Sequence, residues 1–331
     1  MKRWFGMMAT AVVAATGMPA SAQSYQPPTH TAPPPPIFDR ASPQEAQAAA
    51  NGGVQIEHDR PARYALAEHR RLTTALAAVQ PGRKGVVDAY VVSVALDSDP
   101  VFGREAREAG RVLSRRYDAV GRTIVLAGSD GSKDSELPRG SPDTLAAALA
   151  RVSEVMNLGE DVLILYVTSH GAPLGLVYND ADAGYGAISP TRLWYLLSDL
   201  GIANRMVLVS ACYSGVFVPM LTSDTSIVVT AASADRSSFG CVSDNDWTFF
   251  GDALINRALR KPQPLAVAVT EATGLIAGWE GSAKLEPSQP QSSYGAGAAT
   301  WLAALEARMP KAATAPIGRP AIDSIGEVGA R

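Results

Sequence analysis

Two stretches, DVLILYVTSHG (residues 161–171) and RMVLVSACYSG (residues 205–215), decide how this chain folds. Each is a continuous apolar run that stops at small polar residues and then at a glycine. A strand that is apolar at every position has no solvent face, so it belongs inside a parallel sheet covered on both sides. Working outward, VVDAYVVSVAL (86–96) and SIVVTA (226–231) read as further buried strands, and TIVL (123–126) as a short one.

Helical patterns fill the gaps between these strands. Arg104 to Tyr117 is rich in Ala, Glu and Arg, and Ser141-Pro142-Asp143 opens a helix to Met156 with Ser141 as the cap and Pro142 in the first turn. Ser189-Pro190 opens another helix to Leu200, and Trp247–Leu259 and Pro264–Trp279 also read as helical. Strand–helix alternation predicts the α/β class, with a mainly parallel central sheet, helices on both faces and right-handed crossovers.

In such sheets the chemistry collects at the carboxyl ends of strands. The 161–168 strand ends in Ser169-His170-Gly171, and the 205–210 strand ends in Ala211-Cys212-Tyr213-Ser214-Gly215. A His and a Cys therefore leave the same edge of the sheet. A thiol beside an imidazole gains thiolate character, and the imidazole can then protonate a leaving amine. Gly171 and Gly215 flank the pair, and without a Cβ they let a substrate carbonyl approach the backbone. The N–H groups of Gly171 and Cys212 are the expected oxyanion donors. Of the chain's four histidines, His30, His58 and His69 precede the α/β region, which leaves His170.

The N-terminus is expected to direct export. Met1-Lys2-Arg3 is basic, Trp4 to Met18 is uncharged, and Ala20-Ser21-Ala22 supplies the small residues of a cleavage site after Ala22. The expected location is periplasmic or secreted, with no membrane span once residues 1–22 are removed. Residues 23–53, with Pro27, Pro28 and Pro33 to Pro36, read as a disordered proline-rich spacer, 54–85 as a lead-in with a helix around Tyr64 to Val79, 86–309 as the catalytic domain and 310–331 as a flexible tail.

The 331 residues are 47% hydrophobic with a net charge of -3, so no basic excess exists to neutralise phosphates and no nucleic-acid partner is expected. With two cysteines in all, the fold must rest on its core, and Cys241 reads as a buried free thiol rather than a disulfide partner. Too few Cys and His remain for a zinc site, and Asn179-Asp180-Ala181-Asp182 lacks the ligand spacing of a calcium loop and reads as a solvated turn. No metal and no cofactor are expected.

A strand ending in TSHG followed by a strand ending in SACYSG resembles the legumain-type cysteine peptidases, within the caspase-like superfamily that also includes gingipains and the glycosylphosphatidylinositol transamidase subunit. Thr230-Ala231-Ala232 to Ser237-Ser238-Phe239-Gly240-Cys241 is similar to the family's TAA…SSYAC segment, Phe249-Phe250-Gly251-Asp252 to its YLGDW segment, and Phe102-Gly103-Arg104-Glu105-Ala106 to the segment after its first strand. The likeness runs in order over residues 86–300 and is nearest to the family's bacterial branch. It implies a caspase-like three-layer sandwich and a cysteine-type endopeptidase acting on peptide or protein substrates through a thioester. Cys212 is then the nucleophile, His170 the acid/base, Gly171 and Cys212 the oxyanion donors, and Ser237, Ser238, Asp252 and Arg104 the substrate-binding residues. Cys241 matches a family cysteine that is not catalytic. Tyr213 and Ser210 stand where legumains carry acidic residues, which argues against strict asparaginyl specificity. The same dyad would serve a transpeptidase or ligase, and a non-catalytic envelope scaffold on this fold is the other alternative.

Overall fold

The computed structural model describes residues 41–128 and 136–324. The segment expected to be the export signal lies outside the described residues. The elements are α1 (Pro43–Gly52), β1 (Gln55–Glu57), α2 (Ala62–Ala77), β2 (Ala89–Ala95), α3 (Pro100–Arg116), β3 (Thr123–Leu126), α4 (Pro142–Val155), β4 (Val162–Thr168), β5 (Gly171–Ala172), β6 (Gly175–Asp180), β7 (Gly184–Ile188), α5 (Pro190–Asp199), β8 (Arg205–Ser210), α6 (Val218–Leu221), β9 (Ser226–Thr230), α7 (Leu265–Ser282), β10 (Gln291–Tyr294) and α8 (Ala298–Glu306).

Six strands form one sheet in the order β10-β9-β8-β4-β2-β3. β3, β2, β4, β8 and β9 run parallel, and β10 closes one edge antiparallel to β9. Side chains alternate between the two faces, as a period of two requires. Ala89, Val91, Val162, Ile164, Tyr166, Met206 and Leu208 join the core shared with α3, α7 and α8. Tyr90, Val92, Val94, Leu163, Leu165, Val167, Val207 and Val209 face the opposite core, built with α4 and α5. The fold is thus an α/β sandwich, a mainly parallel sheet between two helical layers, as expected.

The helix starts follow local chemistry. The Ser141 hydroxyl accepts the Thr144 N–H, Thr144 reciprocates toward the Ser141 N–H, and Pro142 sits at the first turn. Ser189 caps α5 in the same way, through the Arg192 N–H at 3.0 Å. The expected helix over 247–259 is wound wider: Gly251–Arg257 forms π-type turns, followed by a tight turn at Ala258–Arg260.

Two expectations about the flanks are corrected. The spacer is helical at its end, where Ser42 and Glu45 form a complete capping box around α1 and Gly53 closes it with φ 74°. Ala46 and Ala50 are buried there, because small side chains let the helix lie close on β7 and α5. The tail is packed at least as far as Ala321, which is buried in the α3–α7 core. The Trp247 indole donates to the Ile317 carbonyl at 2.9 Å and the Ile317 N–H to Asn256 Oδ1 at 2.9 Å. Tail backbone thus satisfies buried polar groups of the domain, something that its Pro, Gly and Ala content does not reveal.

A second sheet, in the order β1-β7-β6-β5, grows from the end of β4. Its strands are short and rich in Gly, Asn and Asp, so no apolar run announced them. The turn at its tip is not merely solvated. Asp180 is buried and pairs with Arg60 at 2.5 Å and Arg139 at 3.4 Å, while Glu57 also binds both arginines. This ion cluster ties the lead-in to the domain.

Candidate active site

The chain runs from β2 outward to β3 and then returns to the other side of β2 as β4. A parallel sheet opens a crevice at such a switch point, beyond the carboxyl ends of its strands. Asp97 and Asp99 follow β2, His170 follows β4 and Cys212 follows β8. β4 and β8 are adjacent, with Thr168 opposite Ser210. His170 and Cys212 therefore stand two residues beyond one matched pair, on strands about 4.8 Å apart.

The two loops touch. A Cβ added to Gly171 would overlap the Cys212 carbonyl. Only glycine permits that approach, so the residue after the histidine is set by contact with the residue bearing the thiol. Gly215 has a different role from the one expected. Its missing Cβ makes room for the backbone of Ser233 and Ala234, which brings the 233–241 loop over the site. Between them Tyr213 holds the left-handed conformation at φ 56° and donates its N–H to the Arg236 carbonyl at 2.8 Å. Cys212, just before this turn, is partly buried.

The Cys212 sulfur is held by the loop that arches over it. The Ser238 N–H donates to Sγ at 3.3 Å, the Ser238 carbonyl lies at 3.5 Å and its hydroxyl at 3.7 Å. The Cys241 thiol lowers the Cys212 pKa most; burial opposes it, and the Ser238 donors and the His170 charge add to it, leaving Cys212 at about 5. The Cys241 thiol is pushed well up, by its contact with Cys212 and by burial.

His170 presents Nε2 to Asp99 Oδ2 at 3.5 Å and packs its ring edge-on against Phe102, with centroids 5.0 Å apart. Burial alone would lower its pKa, but the Asp99 carboxylate and the charges of Asp97 and Cys212 outweigh this and hold it above its ordinary value. Asp99 is fully buried and accepts the Ser243 hydroxyl at 3.0 Å. The sequence reading missed Asp97 and Asp99, although Asp97-Ser98-Asp99 directly follows a strand and meets the same selection rule as His170. Asp97, Asp99 and His170 bring three ligand atoms within 4.8 Å of one another, enough to hold a cation. Asp99 faces Nε2, which suits it to orient the ring and stabilise its charge while Nδ1 is the nitrogen left to exchange a proton.

The expected substrate residues separate. Ser238 lies against the Cys212 sulfur and Ser237 is exposed beside it. Asp252 is corrected: it is fully buried, and its carboxylate accepts Asn256, Arg257 and the Ala321 N–H, so it faces no substrate. Arg104 does not reach it. Its guanidinium donates to the Ser243 and Asn245 carbonyls and pairs with Asp246 at 3.5 Å. Ser210 is also turned inward, with its hydroxyl 3.0 Å from Thr248 Oγ1.

Residues 142–271 match the model of the Peptidase C13 family, the legumain family. The matched stretch, which carries both candidate residues, is similar to the legumain-type cysteine peptidases. Among solved structures the chain is similar to caspase-1 from Spodoptera frugiperda, at 13% identity and a TM-score of 0.42, covering 65% of this chain and 93% of that one. It is also similar to the structure titled pro-sf-caspase-1, at 13% identity and a TM-score of 0.40, with the same coverage. No curated protein matches the sequence.

Proposed function

We propose that the protein is a cysteine-type endopeptidase that works through a thioester on Cys212, with His170 as its acid/base partner. The observation that carries this reading is the register of β4 and β8, which aligns His170 with Cys212 two residues past a matched pair. The Cys212 thiolate attacks the scissile carbonyl carbon, and the carbonyl electrons move to oxygen. The N–H groups of Gly171 and Cys212 receive that oxyanion, as fixed donors do in other acyl transfers. Collapse breaks the C–N bond while protonated His170 gives its proton to the departing amine. Neutral His170 then takes a proton from water, which attacks the thioester and releases the acid and the thiolate. Asp99 acts through His170 as a positioning residue.

Ser238 lines the nucleophile side of the substrate cleft, Ser237 its rim, and Arg104 borders it through the 243–246 loop. With Asp252 turned inward, preference rests on the 233–241 loop. Export, with a mature chain starting near Gln23, is part of the same proposal. Among the described residues no helix is long and apolar enough to cross a membrane.

The test is a peptide-library cleavage profile of purified protein beside Cys212→Ala and His170→Ala. Both variants are expected to melt cooperatively and to lose at least about a thousandfold in kcat/KM, in line with loss of a nucleophile or its base. Turnover retained in Cys212→Ala would overturn the proposal. Adding an amine nucleophile separates hydrolysis from transpeptidation by product ratio.

A further inference from the structure

The helix α3 carries Arg104, Arg107, Arg111 and Arg115 at spacings of three and four, which puts all four along one side of it. Its other side is packed, with Ala109 and Leu113 in the core. The arginine side borders a groove whose opposite wall includes Thr314, Ile317 and Gly318 of the tail. Two cavities lie along it, of about 220 and 120 Å³, and Glu108 and Arg111 stand in the walls of both. Arg104 and Arg107 line the first, Arg115 and Arg260 the second. Five arginines thus meet two carboxylates, those of Glu108 and Asp246, on a chain whose net charge is -3. The groove starts beside the active site. The Arg104 guanidinium donates to the Ser243 and Asn245 carbonyls. The Ser243 hydroxyl in turn reaches Asp99, the carboxylate that faces His170, at 3.0 Å.

We infer that this groove is an exosite for an acidic peptide, a stretch of a protein substrate outside the residues next to the cleaved bond. That the peptide belongs to a substrate rests on the endopeptidase reading. A guanidinium is a planar fork that meets a carboxylate through two parallel N–H bonds. Arg111 and Arg115 are the exposed members of the row. Arg111 bonds Glu108 through Nε at 2.7 Å, and Arg260 shares the same carboxylate at 2.6 Å. Arg115 donates to the Ala312 carbonyl at 2.9 Å. An arginine has five donors, and exposed pairs of this kind hold weakly, so a ligand carboxylate can join or replace these partners. From Arg104 to Arg115 the helix rises about 16 Å, the length of about five residues of extended peptide. Ile317, 46% exposed, adds an apolar surface to the wall. Such a surface offers nothing to a sugar-phosphate strand and suits a peptide side chain, which favours a peptide over a nucleic acid as the occupant.

The test reads binding separately from turnover. A fluorescein-labelled peptide of glutamates, about five long to match the groove, is titrated into the full-length Cys212→Ala protein at low salt and followed by anisotropy. A glutamine peptide of the same length is the neutral control. The glutamate peptide is expected to bind and the glutamine peptide to fail. Adding Arg111→Glu with Arg115→Glu is expected to weaken binding at least about tenfold, in line with loss of two charge-assisted contacts. Arg63→Glu with Arg70→Glu makes the same charge change at exposed positions of α2, which packs on the opposite face of the sheet, and is expected to leave binding intact. If the groove variant does not melt cooperatively, Arg111→Gln with Arg115→Gln replaces it, with loss again expected. No loss in the groove variant, or an equal loss in the α2 variant, would overturn the inference. So would an oligouridylate of the same length that binds more tightly than the glutamate peptide and depends on the same arginines. In wild type, extending a cleaved peptide at one end by the glutamates is expected to lower KM at unchanged kcat, an effect the groove variant loses; no change in KM with either end extended would sink the substrate role. Binding that depends on Arg111 and Arg115 in a protein that cleaves no peptide would count against the endopeptidase reading and leave the acidic-peptide groove standing.

Discussion

His170 is a partly exposed imidazole beside two buried carboxylates, and its titration follows from that setting. Its pKa lies above the ordinary value while that of Cys212 lies at about 5, so between them the pair is thiolate and imidazolium. In the proposed mechanism activity needs both charges: it rises as Cys212 loses its proton and falls as His170 loses its own. A bell-shaped kcat/KM profile is therefore expected, with an acid limb near pH 5 and an alkaline limb above the ordinary imidazole value of about 6.5, both limbs belonging to the coupled pair. Asp99→Asn removes the nearest charge that holds the His170 proton. It is expected to move the alkaline limb to lower pH and to cut kcat/KM by about tenfold or more. An alkaline limb that does not move would remove Asp99 from the proton chemistry. The sequence reading reached His170 and Cys212 because strand ends select for chemistry, and it passed over Asp99 because acidic residues after strands are common and their burial is a tertiary fact.

At the scale of elements, the strands and helix starts were legible and the flanks were not. β8 and β3 match their expected residues end to end, and Ser141 and Ser189 cap their helices as their Ser-Pro signals predict. Apolar runs and caps are local, so local reading suffices. The tail shows the limit. Residues 311–321 carry little apolar pattern, yet the Ala321 N–H reaches the buried Asp252 carboxylate at 2.9 Å and Ile317 bonds both Trp247 and Asn256. Truncation after Met309 strips those partners and is expected to cost about 2 kcal/mol or more in urea unfolding, because a buried acceptor left short of donors pays its desolvation. Asp252→Asn is expected to destabilise by a similar amount through its Arg257 pair, with an unchanged cleavage profile. A changed profile at full stability would return Asp252 to the substrate pocket.

At the scale of the whole molecule, export is the reading that only the N-terminal order of charges and apolar residues supports. N-terminal sequencing of protein from the cell envelope is expected to begin at or near Gln23, and an intact Met1 on soluble cytoplasmic protein would defeat it. The sequence by itself determined the layer architecture, since runs apolar on both faces have no stable place except inside a covered parallel sheet. It also singled out His170 and Cys212, since both follow such runs directly. The tertiary structure alone decided which charges face the site. Asp99 comes to His170 from 71 residues away in the chain (170 − 99), and Asp252 is drawn inward by Arg257 and Ala321. The direction a charged side chain takes depends on partners that distant segments supply, because a buried charge settles where its hydrogen bonds can be made.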